Sequence, residues 1–345
     1  MLNKANYVSF LKENRTVEQA QTIYQQRIED SREVFDKFSE SFYIRDCPFC
    51  GSSSYISQPP FDGRYGVAKC NSCSSLFVNP CPPMEALDYY YNNCKCNRQL
   101  GSLLKSRVGQ KGIILSERTE FVLALIKGFL SYKDDIKILE VGCNSGVFLH
   151  ELYEILDSES LQERVELVGI DIDKEAISKP ISDKVKLHHS SAEDFTKLNS
   201  NTFDLVLHFE LIEHLQNPFL FMKSIASLLS EGGKTYFHTP NILGLDNKAL
   251  NYNDFRPLAH GIFPPMHLQG FSTQNIAHFI LRSGLNVSDI STPGNFDIDI
   301  VKNFVAEGSE YSDILDIDNK EYLATIQGLV RKLNASSHLA VLAEK

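Results

Sequence analysis

The chain has 345 residues, enough for one large domain and a small one, and its 43% hydrophobic and 23% charged residues fit an ordinary folded core under a solvated surface. No apolar run is long enough to span a bilayer, and the opening MLNKANYVSFLKENRTVEQA has neither an apolar core nor a small-residue cleavage site, so a cytoplasmic chain is expected. The formal net charge of -10, with no Lys/Arg-rich block carrying interleaved aromatics, weighs against a nucleic-acid partner and favours a small-molecule substrate, or one presented on a carrier.

In chain order, residues 1–43 read as a polar helical segment. Its apolar residues (Val8, Leu11, Ile23, Ile28, Val34, Phe38) fall at helical spacing and would pack on the main domain or on a second subunit, which makes a homodimer the assembly to test. Residues 44–82 contain paired cysteines, and 83–117 read as a connecting helix and loop that opens with MEALDYYYNN. From 118 to 345 apolar strands alternate with amphipathic helices. The strands are 136–141, 165–170, 185–189, 203–209 and 234–239, and the helices lie near 118–131, 147–157, 174–179 and 217–230. Such alternation predicts a parallel sheet with crossover helices. Segments 284–292 and 337–345 add two strands, giving an α/β, Rossmann-like, seven-stranded, mostly parallel sheet with helices on both faces. An insertion at about 242–270 follows the fifth strand.

Seven of the eight cysteines fall between Cys47 and Cys96, and four of them form two Cys-x-x-Cys pairs, Cys47/Cys50 and Cys70/Cys73, with 19 residues between. In a chain without a secretion signal this arrangement points to a metal rather than to cross-links. Four thiolates make a closed tetrahedral zinc site, the structural kind, with no position left for chemistry. The expectation is a small N-terminal zinc ribbon. Cys81, Cys94 and Cys96 lack the paired spacing of ligands.

The strand Ile138-Leu139-Glu140-Val141 runs into Gly142-Cys143-Asn144-Ser145-Gly146 and then into the apolar start of a helix. At the C-terminal end of such a strand, backbone N–H groups and the helix N-terminus face the ligand crevice. Glycines at 142 and 146 permit a sharp turn and close approach of a ligand. A dinucleotide fingerprint would need glycine where Asn144 and Val147 stand, and no Gly-Lys-Ser/Thr follows to make a Walker loop. The next strand ends at Asp171, 25 residues after Gly146, where a carboxylate accepts hydrogen bonds from ribose hydroxyls. Asp173 precedes Lys174-Glu175-Ala176-Ile177 and suits a helix cap, which leaves Asp171 for the ligand.

EVGCNSG (140–146), GIDID (169–173), SSAEDF (190–195), FDLVLHFELIEHLQNP (203–218) and LLSEGGKTYFHTPN (228–241) together resemble the class I S-adenosylmethionine-dependent methyltransferases, over about 136–290. The resemblance implies S-adenosylmethionine as cofactor. Glu140, Gly142, Cys143, Asn144 and Gly146 would border its methionine part, and Asp171 would hold the ribose. Ile172 would lie beside the adenine, Ala192 and Glu193 would meet the adenine edge, and Phe209 would sit near the cofactor. Asn144 replaces a glycine found in many members, and asparagine tolerates a left-handed backbone. The ribbon ahead of this domain more loosely resembles sugar methyltransferases of bacterial antibiotic and surface-polysaccharide pathways, which implies a nucleotide-linked sugar or glycan acceptor. Similar ribbons precede rRNA methyltransferases, so an RNA acceptor is one alternative, and a non-catalytic cofactor-binding scaffold is another.

Methyl transfer carries carbon from a sulfonium to a nucleophile in line, so much of the catalysis is positioning. An oxygen or nitrogen nucleophile also needs a base for its proton. Glu210, Glu213 and His214 follow the fourth strand, with His214 as the candidate base and a glutamate to orient it or to bind a metal. His238, Asn241, Tyr252, His260 and His267, at the fifth strand and in the insertion after it, are the candidate substrate contacts.

Overall fold

The computed structural model describes residues 17–96, 117–245, 261–294, 298 and 320–345, and elements are numbered within them. Helix α1 (Val17–Phe38) is a single 22-residue element. It buries Ile28, Ser31 and Val34, spaced three apart along one face. Ser31 joins this face to its surroundings: Tyr65 Oη donates to its carbonyl (2.7 Å), and its own hydroxyl donates to the Pro264 carbonyl (2.6 Å). Val8 and Leu11 lie outside the described residues.

Strands β1 (Tyr55–Phe61) and β2 (Tyr65–Cys70) pair antiparallel, Tyr55 opposite Cys70 and Phe61 opposite Tyr65. The turn between them is Asp62-Gly63, both at positive φ (53° and 64°), the conformation a tight hairpin requires. β3 (Leu76–Val78) extends this sheet antiparallel to β2, and α2 (Met84–Asn93) follows.

Helix α3 (Glu117–Leu130) leads into the large sheet. Next come β4 (Ile136–Val141), α4 (Val147–Ser158), β5 (Val165–Asp171), α5 (Lys174–Ile177), β6 (Lys186–His189), α6 (Ala192–Asn199) and β7 (Phe203–Phe209). A 3-10 turn at Ile212–His214 follows, and then α7 (Pro218–Leu228), β8 (Leu229–Pro240), β9 (Gln269–Gly270), α8 (Ile276–Arg282), β10 (Asn286–Ser291), α9 (Lys320–Lys332) and β11 (His338–Glu344). The strand order is β10-β11-β8-β7-β4-β5-β6, with β4 to β8 parallel and β11 antiparallel to both neighbours. The Rossmann-like sheet read from the sequence is thereby borne out. β4, β7 and β8 are buried along most of their length because both sheet faces are covered. One face meets Val122, Ile126, Leu149 and Leu152 of α3 and α4, and the other meets Phe221, Ile225, Phe279 and Ile280 of α7 and α8. Chain order reverses between β4 and β7, so the loops leaving these two strands diverge and open a crevice.

Three local departures have physical causes. β8 begins at Leu229, earlier than the segment 234–239, because the SEGG stretch stays in the strand as a bulge: pairing jumps from Phe203–Leu229 to Leu205–Lys234, with Gly232 at φ 70°. Helix α6 forms at 192–199, where no helix was placed, started by Ser191 Oγ accepting from Asp194 N. The helix expected at 174–179 spans Lys174–Ile177, because Pro180 disfavours helical backbone at Lys179.

The two sheets share chain. β9, at the end of the insertion, pairs with β3 (Leu76 opposite Gly270, Phe77 opposite Gln269) and completes the four-stranded cysteine-bearing sheet. Phe49, beside the cysteines, packs on Phe271 and Phe279 at ring-centroid distances of 4.7 and 5.5 Å, within the core that covers the large sheet. Among the described residues no helix is long and apolar enough to cross a membrane.

Candidate functional site

β4 delivers Glu140 and the turn that follows to the mouth of the crevice. Gly142 and Gly146 take φ of 77° and 80°, and Asn144 takes 51°. The asparagine in the glycine position therefore adopts the left-handed backbone it tolerates, and its side-chain oxygen accepts from Ser145 N at 2.9 Å. Gly146 starts α4 without a side-chain cap, which leaves the first N–H groups of the helix for a ligand.

Asp173 caps α5, accepting from Glu175 N (2.9 Å) and Ala176 N (3.0 Å). Asp171 is not left free for the ligand. Its oxygens accept from Asn144 N (2.7 Å) and Asp173 N (2.8 Å), so it ties the first loop to the second before any hydroxyl arrives. A carboxylate has about four acceptor positions, which leaves room for ribose hydroxyls as well. Burial raises its pKa above the usual carboxylate value. Ile172 stands 71% exposed beside it. Ala192 and Glu193 form the first turn of α6, and Phe209 ends β7 with its ring 5.0 Å from Phe148.

Glu140 is buried, with Oε2 lacking a hydrogen-bond partner, and burial pushes its pKa up to about 8 against the opposing pull of Arg118. Arg118, on α3, lies 4.4 Å over the Phe209 ring. The sequence reading missed Arg118, because a single arginine ahead of the first strand carries no signal until the fold sets α3 at the crevice.

The second half of the site is the turn after β7. Glu210 takes φ of 50°, and Leu211 reaches back over the first loop, so that a Cβ on Gly142 would lie 3.0 Å from Leu211 Cδ2. Glu213 is 1% exposed. Its Oε2 accepts from Thr239 Oγ1 (3.0 Å), its Oε1 has no partner, and burial, helped by the Glu210 charge, holds its carboxyl well above the ordinary value. His214 Nδ1 donates to the Met266 carbonyl (2.8 Å), with Tyr91 Oη 3.2 Å from the same nitrogen, and its Nε2 is 3.7 Å from Glu213 Oε1. Burial lowers its pKa, so the imidazole is neutral and able to take a proton. His267 Nδ1 donates to the Gly261 carbonyl (3.0 Å), and its ring centroid is 4.9 Å from that of His214.

The structure thus brings together Glu213, His214 and His267. Glu210, near them in sequence, turns outward toward His338 (3.6 Å). His238 is buried beside Phe209, with Nε2 2.7 Å from Tyr236 Oη and its pKa pushed down to about 3. Asn241 departs from the reading as a substrate contact. It is 0% exposed and its amide is engaged with backbone, donating to Ser336 O (2.8 Å) and accepting from Leu243 N (3.1 Å), which pins the start of the insertion. Tyr252 and His260 lie outside the described residues. Tyr91 was also missed, since a run of three tyrosines does not reveal which one faces the turn.

Cys47, Cys50, Cys70 and Cys73 converge with all four sulfurs within 4.8 Å of one another. None of the eight cysteines forms a disulfide, and Cys81, Cys94 and Cys96 are buried away from the cluster. Arg45, two residues before Cys47, links the cluster to the histidine turn. Its guanidinium donates to Gln216 O (2.8 Å) and Leu268 O (3.2 Å), while Gln269 Nε2 donates to Ile212 O (2.8 Å) and Leu215 O (2.6 Å).

Residues 114–289, more than half of the chain, match the family described as Methyltransferase domain. The chain belongs to this family. It is 30% identical over 112 residues to a ubiquinone biosynthesis O-methyltransferase of Aromatoleum aromaticum (30% of this chain, 44% of that protein). It is 28% identical over 130 residues to the corresponding protein of Vibrio vulnificus strain YJ016 (36% and 50%). The methyltransferase spans about half the length of the curated relatives it matches. Among solved structures, a SAM dependent methyltransferase from Archaeoglobus fulgidus aligns at 20% identity and TM-score 0.40, covering 66% of this chain and 94% of that one. The plantazolicin methyltransferase BamL aligns at 14% identity and TM-score 0.46, covering 75% and 93%.

Proposed function

We propose that this methyltransferase moves the methyl group of S-adenosylmethionine onto a small-molecule acceptor, a nucleotide-linked sugar or a glycan of a surface-polysaccharide or natural-product pathway, in the cytoplasm. The observation that carries the reading is the seating of Leu211 on Gly142, which sets the Glu210–His214 turn against the cofactor loop. A buried carboxyl and a neutral imidazole then stand beside the methionine end of the cofactor. Arg118 and Glu140 offer opposite charges to its carboxylate and ammonium, and Asp171 offers oxygens to its ribose. In the transfer an acceptor O–CH3 bond forms as the S–CH3 bond breaks, the electron pair stays on sulfur, and the hydroxyl proton leaves toward the His214 side.

The four cysteines suit zinc, since a cluster made only of thiols selects soft or borderline cations and closes the tetrahedron. Bound there, zinc would hold the turns of β1 to β3, on which Arg45 and the pairing with β9 depend. It would take no part in the transfer.

The test is to incubate the purified protein with methyl-labelled S-adenosylmethionine and panels of nucleotide sugars, glycans and phenolic quinone precursors, and to identify any labelled product. His214→Ala should lower turnover about a hundredfold or more while cofactor affinity stays nearly unchanged. Unchanged turnover refutes the role of His214, and failure to bind S-adenosylhomocysteine refutes the whole reading. RNA binding that falls steeply with added salt would favour an RNA acceptor instead.

A further inference from the structure

We infer that Glu213, His214 and His267 hold a divalent transition-metal cation at the acceptor side of the crevice, separate from the cysteine cluster. One ligand atom from each of the three side chains lies within 4.8 Å of the other two. The groups come from two distant segments, the turn after β7 and the stretch leading into β9. Leu268 N donates to the Glu213 carbonyl (2.9 Å) and fixes the two segments together.

Both histidines are held in the form a metal requires, and the glutamate is held in place beside them. His214 Nδ1 faces the Met266 carbonyl and His267 Nδ1 faces the Gly261 carbonyl. A carbonyl only accepts, so each Nδ1 carries the proton and each ring keeps its lone pair on Nε2, the arrangement by which backbone carbonyls orient metal-binding imidazoles. Glu213 is anchored through Oε2 to Thr239, while Oε1 is buried and unpartnered, 3.7 Å from His214 Nε2. A buried oxygen without a partner costs stability unless something occupies it.

The donor set identifies the cation class. Two imidazoles and one carboxylate suit Zn²⁺, Mn²⁺, Fe²⁺ or Co²⁺, whereas Mg²⁺ and Ca²⁺ prefer oxygen alone. A second group, Asp30, Glu33 and Cys94, also lies within metal-binding distance, but its carboxylates already accept from Gln26, from Cys96 N and from Tyr89. Three protein ligands leave coordination positions open, as sites that act on a bound oxygen do. The inference rests on the methyl-transfer reading and refines it. With the cation bound, His214 would act as ligand and not as base: an acceptor hydroxyl entering the open position would be made more acidic, its proton would pass to solvent, and the resulting oxygen would attack the methyl carbon as the sulfur departs.

Mn²⁺ is the discriminating probe, because it favours nitrogen and oxygen ligands over a four-thiolate site. The full chain is stripped with a chelator, reloaded with one equivalent of Zn²⁺ for the cysteines, and titrated with Mn²⁺ by electron paramagnetic resonance. One Mn²⁺ per chain is expected. Glu213→Gln and His267→Gln, near-isosteric changes, should each weaken it tenfold or more, and Glu33→Gln, in the Asp30–Glu33–Cys94 group, should not. Circular dichroism and S-adenosylhomocysteine binding, measured on the same samples, report whether each variant is folded. Absence of Mn²⁺ binding by protein that binds S-adenosylhomocysteine overturns the metal site and leaves methyl transfer standing, as does undiminished Mn²⁺ binding by folded His267→Gln. X-ray absorption of protein loaded with two Zn²⁺ per chain gives an independent measure: a mixed sulfur and nitrogen/oxygen shell supports the second site, and a purely sulfur shell overturns it.

Discussion

Glu140→Gln should yield a protein that is more stable without cofactor and binds the cofactor less well. Burial raises the Glu140 carboxyl from 4.5 to about 8 in the folded chain, while the unfolded chain keeps the ordinary value. The folded state therefore holds a proton that the unfolded state releases between these two pH values. Stability contributed by this group is fully present below about pH 4.5 and declines as pH rises toward 8. Each unit of separation is worth about 1.4 kcal/mol, so the loss reaches about 3 kcal/mol at pH 7 and about 5 kcal/mol above pH 8. Glutamine does not titrate and escapes this loss. Urea unfolding of both proteins without cofactor, at intervals from pH 5 to 8.5, should give unfolding free energies that diverge steadily in favour of the variant. S-adenosylhomocysteine should bind the variant about tenfold or more weakly, since its ammonium loses a buried counter-charge. Parallel pH curves would refute the placement of a strained, uncharged carboxyl in the cofactor-free crevice, and equal affinity would refute its pairing with the cofactor.

Asp171→Ala removes the brace between the two loops and, in the proposed reading, the acceptor for the ribose hydroxyls. Calorimetric titration with S-adenosylhomocysteine should show affinity lowered at least about tenfold, and undiminished affinity would count against the role. At Gly270 an added Cβ would fall 2.1 Å from Ile242 Cγ2, so Gly270→Ala should destabilise by about 1–3 kcal/mol in urea unfolding. Ile242→Ala in the same chain should recover part of that loss, and simple additivity of the two changes would contradict the contact. Cys70→Ser should abolish the thiolate-bound zinc measured by mass spectrometry and lower the unfolding midpoint, because the cysteine cluster and Phe49 share one core with α7 and α8; unchanged metal content would remove zinc from the account.

The large sheet was legible because its strands are buried on both faces and read as short, nearly continuous apolar runs set between helices. Ile136–Val141 and Phe203–Phe209 match their sequence-derived bounds for that reason. The turn chemistry was legible too: Asp173 caps α5, and Asn144 takes the left-handed backbone. What stayed hidden depended on partners far away in the chain. Nothing in the local pattern tells that Gln269 and Gly270 pair with β3, that Arg118 reaches the ring of Phe209, or that His267 joins His214. Asn241 misled for the same reason. A polar residue at a strand end looks available until the loop ahead of β11 folds over it.

The pairing of β3 with Gln269–Gly270 also sets an order of events during synthesis. The four cysteines lie close together in sequence and leave the ribosome early. The strand that closes their sheet is made about 190 residues later, a delay of roughly 10–40 s at ordinary elongation rates. Through that interval β3 carries an open edge, and the Met266 carbonyl that orients His214 does not yet exist. A nascent chain halted before residue 266 would thus carry the four cysteines without the strand that closes their sheet and without the carbonyl that orients His214.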